Sequence, residues 1–176
     1  GKVFSTGVSI NNLSLNENDI GDFKTFLKLS PPLRSEQDRL SLINAIGERL
    51  IEVIVSDHKP EDEESKRLTF AKAATGATGI ETLLPLALEL FHNDSLKLNA
   101  IIASITSNPA KILGINKGSL QIGSDADLCV VDINKPWIVN KSDLLSKSKN
   151  TPIEDRKLRG QIIKTFIKGE IAFVRA

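Results

Sequence analysis

Apolar positions along the chain change their period twice, and each change predicts a different element. "LIEVIVSD" is a near-continuous Val/Ile run between two helical patterns, which predicts a strand over 50–56 buried on both faces and running parallel to its neighbour. The β-rich opening "KVFSTGVSI" predicts a companion strand over 3–9. Between them, Leu40, Ile43 and Ile46 recur at helical spacing, so a helix is expected over 35–48 as the crossover. Ser35 would cap it, with Asp38 as its acidic cap partner, and Gly47 would end it. Pro31 and Pro32 lie outside any helix, because proline lacks the backbone donor. "HKPEDEESKRLTFAKAATGATG" then reads as a long charged loop over the C-terminal end of the second strand. Helical spacing resumes in "IETLLPLALELFHN", apolar nearly all round, and in "LKLNAIIASITSNPAKILG".

After Gly114 the runs shorten and alternate, with Gly, Asn and Pro between them: "GSLQIGSDADLCVVD", "PWIVN" and "GQIIKTFIKGEIAFV". Lys168-Gly169 is a hairpin turn between the last two runs. Residues 1–113 therefore read as α/β and residues 114–176 as a small antiparallel β unit. The 176 residues carry a formal net charge of +1 with both signs dispersed, which offers nothing to a nucleic acid or an acidic membrane. No apolar run is long enough to span a bilayer. One cysteine, Cys129, excludes an intrachain disulfide and fits a reducing, cytoplasmic compartment; its strand-like surroundings predict a buried thiol.

The candidate chemistry sits in "VIVSDHKP". A strand that delivers Asp57 and His58 at its C-terminal tip can place a carboxylate where a metal is ligated or a water activated. The alternative is that Asp57 caps the loop and His58 packs beneath it. A catalytic zinc commonly needs three protein ligands, and the chain holds two histidines. The second, His92, ends a helix, where the dipole accounts for it. Gly76 and Gly79 are expected as loop hinges, Asn108-Pro109 as a helix start with Asn as cap, "PEDEESKR" as a solvated charge run, and Trp137 as packing for the β unit.

"KLSPPLR", "VIVSDHKP", "GATGIETLLPLALEL", "SNPAKILGI", "GSLQIGSDADLCVVD" and "KSKNTPIEDRKLRGQIIKTFIKGEIAF" occur in order and at suitable spacing. Together they resemble the C-terminal half of the dihydroorotases, within the cyclic amidohydrolases of the amidohydrolase superfamily. The resemblance implies an α/β fold: the C-terminal part of a TIM-like (β/α)8 barrel plus a small β-sandwich portion, with 3–9 and 50–56 as the last two barrel strands. It makes Asp57 both a zinc ligand and the proton shuttle, taking a proton from the attacking hydroxide and delivering it to the leaving amide nitrogen. The family's zinc-binding histidines would lie upstream of Gly1, so one or two zinc ions would be held together with the N-terminal part of the same protein, and the 176 residues would be ordered beside that part. It further implies a small cyclic amide substrate, dihydroorotate, interconverted with N-carbamoyl-aspartate in pyrimidine synthesis, and a homo-oligomer.

At the positions that touch substrate in the family, this chain departs from the pattern. Glu61 replaces a histidine that helps hold the substrate carboxylate, and an anion there is expected to cost affinity. Ser30 stands for an asparagine, Thr75-Gly76 for Phe-Gly, and Ile10-Asn11-Asn12 for Pro-His-His. These changes keep two other readings open. One is a non-catalytic subunit that scaffolds aspartate transcarbamoylase; the other is a hydantoinase- or dihydropyrimidinase-like enzyme.

Overall fold

The computed structural model describes residues 4–175. Strand β1 (Gly7–Ser9) leads directly into the short helix α1 (Ile10–Ser14), whose N-terminus is capped by the Ser9 side chain. Helix α2 (Glu36–Gly47) follows the two prolines. Its cap is reciprocal: Ser35 accepts from the Asp38 amide, and the Asp38 carboxylate accepts from the Ser35 amide. The chain then returns through β2 (Val53–Val55), which pairs with β1 in parallel, Gly7 opposite Val53 and Ser9 opposite Val55. Both strands are shorter than 3–9 and 50–56, and residue 3 lies outside the described residues.

The charged stretch after β2 contains a helical turn, α3 (Glu63–Lys66), capped by Asp62. Helix α4 (Leu83–His92) buries Pro85 to Leu88 and Leu90, as its composition predicts. The next pattern breaks at Thr106 into α5 (Leu98–Ile105) and α6 (Ser107–Leu113). Asn108 therefore lies inside α6 rather than capping it, and its amide donates to the Glu52 carbonyl at 2.8 Å, tying α6 to the approach of β2.

The β unit is a three-stranded antiparallel sheet, β3 (Leu128–Ile138), β4 (Lys157–Ile167) and β5 (Glu170–Val174), in that order. "PWIVN" is no separate strand; Pro136 to Ile138 continue β3 past an irregularity. Lys168 and Gly169 both have positive φ, 50° and 85°, as the tight hairpin requires. Residues 115–127 form no strand, and Leu120 and Ile122 are fully solvent-facing. Cys129 is exposed, against expectation. Alternation predicts two faces for β3 but not which is covered, and this one is open among the described residues.

One core runs through both parts. Ile10, Leu13, Ile54, Leu86, Ile101, Val139 and Leu158 belong to a single buried cluster against which Trp137 packs. Gly160, at φ 108°, forms a notch in β4: a Cβ there would sit 2.4 Å from Leu88 Cδ1 of α4. Arg156 ties the same sheet to α4 through Glu89 at 2.9 Å, and to α1 through the Ser14 carbonyl.

Candidate active site

Asp57 stands two residues beyond β2, at the C-terminal end of the parallel pair. Its backbone is in the left-handed region, φ 48°, a conformation that Asp tolerates better than most residues. The side chain is half-buried, and it makes no hydrogen bond or ion pair among the described residues. A carboxylate on a turned-out strand tip, left without a partner, is free to take a cation or a proton.

The loop that follows α3 returns to flank this tip. Ala77 bridges His58, and the Lys59 amide donates to the Ala77 carbonyl at 2.8 Å. His58 Nδ1 accepts from the amides of Gly79 at 3.1 Å and Ile80 at 3.4 Å. With Nδ1 so engaged, His58 fastens the loop to the strand. The two loop glycines are not hinges. A Cβ on Gly79 would meet the Ser56 carbonyl oxygen at 2.4 Å, and one on Gly76 would meet the Lys59 carbonyl oxygen at 2.7 Å. Glycine is required because backbone touches backbone.

Of the substrate positions implied by resemblance, the structure brings Glu61, Thr75 and Gly76 together and leaves Ser30 aside. Lys59 Nζ lies 3.4 Å from Thr75 Oγ1 and 3.6 Å from Glu61 Oε1. The Gly76 amide donates to the Lys28 carbonyl, and that segment ends at Ser30, which is exposed and precedes a cis bond to Pro31.

Two residues that organise this region escape sequence reasoning. Asn150 is 3% exposed; its amide donates to the Gly76 carbonyl at 3.1 Å and its Oδ1 accepts from Ser148 Oγ and the Glu61 amide. Its carbonyl also accepts from the Thr78 amide, so one side chain and its backbone clasp both arms of the loop. The Ser148 hydroxyl shares its one proton between Asn150 Oδ1 and the Glu61 carbonyl. The "NTP" pattern marks the position without showing what it holds. The other residue is Lys66, 1% exposed within the run expected to be solvated. Its ammonium donates to the carbonyls of Thr25 at 3.0 Å and Ala74 at 2.8 Å, which draws the 25–28 segment onto the loop. His92, by contrast, keeps its structural role: Nε2 donates to the Ile133 carbonyl at 2.9 Å, a bond to the β unit rather than to the helix's own end.

Among the described residues no group of three His, Cys, Asp or Glu side chains is placed to hold a metal ion. Asp57 fits as a single ligand. No helix of the described residues is long and apolar enough to cross a membrane.

The chain is 37% identical to the dihydroorotase of Ehrlichia canis (strain Jake) over 94% of its own length and 37% of that protein's. It is equally identical to the dihydroorotase of Aquifex aeolicus (strain VF5), over 94% and 39% of the two chains. Among solved structures it superposes on the L-hydantoinase (dihydropyrimidinase) of Arthrobacter aurescens with a TM-score of 0.90 at 29% identity, covering 98% of this chain and 40% of that one. The dihydropyrimidinase of Brevibacillus agri gives 0.87 at 23% identity, over 95% and 38% of the two chains, a likeness of fold. The chain thus spans under two fifths of the length of these curated relatives. Residues 10–172 match the amidohydrolase family, and to that family the chain belongs.

Proposed function

We propose that the protein containing this chain hydrolyses a cyclic amide, with dihydroorotate and N-carbamoyl-aspartate as the interconverted pair. The observation that carries this reading is Asp57: an unpartnered carboxylate at the C-terminal tip of a parallel strand, flanked by a loop fastened to that tip. The 37% identity to dihydroorotases supports the choice of substrate over a hydantoin.

A divalent metal such as zinc, one ion or two, would supply a Lewis acid to polarise the amide carbonyl and acidify water. This chain contributes Asp57 to holding it, and further ligands would come from other parts of the protein. The Asp57 carboxylate accepts a proton from the attacking water and passes it to the ring nitrogen as the C–N bond breaks. In the reverse direction it takes that proton back, so one carboxylate serves both directions. The fastened loop beside it keeps Glu61, Thr75 and Gly76 in fixed relation to the reacting amide.

The test is turnover of dihydroorotate by the whole protein with zinc supplied. Asp57→Asn nearly preserves shape while removing the proton carrier and a charged ligand; the rate is expected to fall about a hundredfold to ten-thousandfold. An Asp57→Asn variant as fast as an active wild type would overturn the mechanism. An inactive wild type would overturn the assignment, leaving the scaffold for aspartate transcarbamoylase as the reading to pursue.

A further inference from the structure

Three lysines converge on the loop segment that flanks Asp57, and Glu61 is the carboxylate in contact with one of them. Lys66 is buried beneath the loop, its ammonium spent on the Thr25 and Ala74 carbonyls. Lys28 Nζ is likewise spent on the carbonyls of Ala71 at 2.9 Å and Ala73 at 2.7 Å. Lys59 differs. Its side chain is 56% exposed, and both its contacts, to Thr75 and Glu61, are long. Glu61, with a side chain 20% exposed, lies against the Lys59 ammonium at 3.6 Å. The only ammonium of the three that water reaches freely is two residues from Asp57.

We infer that Lys59, with the Thr75 hydroxyl beside it, is the specificity-determining pair that binds a carboxylate of the substrate. The inference rests on the hydrolase reading and deepens it: the site takes an anionic ring, and the charge that selects it comes from Lys59. Glu61 then has a different part from the one its sequence position suggests. It holds the Lys59 ammonium near Thr75 and yields it when a stronger anion arrives. A carboxylate at Lys59 gains a charge-assisted hydrogen bond, a second from Thr75 Oγ1, and the attraction of the lysines beneath. A neutral ring gains none of these.

The experiment compares two rings on the whole protein with zinc supplied: dihydroorotate, and dihydrouracil, which lacks the carboxylate. Lys59→Gln is expected to raise KM for dihydroorotate about tenfold or more, with kcat little changed and dihydrouracil kinetics unmoved. Lys59→Arg should restore most of the loss, and Glu61→Gln should lower the dihydroorotate KM. A dihydroorotate KM indifferent to Lys59→Gln, or an equal loss on both rings, overturns the assignment of Lys59 while leaving the hydrolase reading intact. A wild type that turns over neither ring overturns both.

Discussion

Lys66 carries an ammonium group in a place where charge is costly. Burial is the main cause that holds it down to about 8 from the usual 10.5; Lys28 and Lys59 push the same way and Glu61 opposes them. The unfolded chain keeps this proton until about pH 10. Between about pH 8 and 10.5 the unfolded state therefore binds more protons than the folded one, and stability rises with pH across that window. Below it, the charged form weighs against folding in full. Measured as the Tm of the whole protein, wild type should gain on Lys66→Met as the pH is raised from 7 to 9.5; a difference that stays flat would show that the ammonium remains hydrated. Lys66 also shows where a sequence falls silent. In "PEDEESKR" it is one charge among five others, and nothing local distinguishes it. Only the carbonyls of residues 25 and 74, brought in by tertiary folding, make its burial possible. The position of Asp57 at a strand tip was legible because its signal is local: a β-branched run that ends in a carboxylate. The contact of Lys59 with Thr75 and the clasp made by Asn150 were not, since those partners lie 16 and up to 89 residues away.

At the scale of elements, the loop over the strand tip is held from two sides, by His58 on its own strand and by Asn150 from the segment before β4. Asn150→Ala would leave the Gly76 carbonyl and the Glu61 amide unpaired in a buried place, at a cost of about 1–3 kcal/mol. The expected readouts are a lower Tm and faster tryptic cleavage at Arg67 and Lys72. Because the loop flanks Asp57, kcat should fall with them. Cleavage and kcat both unchanged would mean that the clasp does not position the loop. Helix α2 shows the opposite situation: its capping box, helical spacing and terminating glycine are all contained in thirteen residues, and the structure follows them, burying Ile43 and Ile46 while leaving Leu40 exposed. Asn108 misled because Asn-Pro is a helix-start signal, while here α6 begins two residues before Pro109 and the amide is drawn to Glu52.

For the whole molecule, the decisive fact is that β1 and β2 form a sheet of two parallel strands among the described residues. Parallel sheets are ordinarily covered on both faces and paired at both edges, yet Val55 is 43% exposed and nearby Ile80 62%. Residues 1–176 produced alone should therefore self-associate and bind hydrophobic dyes, as light scattering and dye fluorescence would report. A monomer with a sharp calorimetric transition would contradict this. The β unit adds a different kind of constraint. Leu88 enters β4 at Gly160, where any larger residue would collide and strain the backbone. Sliding the sheet along α4 by one pleat repeat, two residues, would set Leu158 or Ile162 over Leu88 instead. The notch thus acts as a detent with a single stop. Asn150 lies ten residues before it on the same chain, so the stop sets how far the clasp reaches: the fit of one leucine into one missing side chain fixes the height at which the loop meets Asp57.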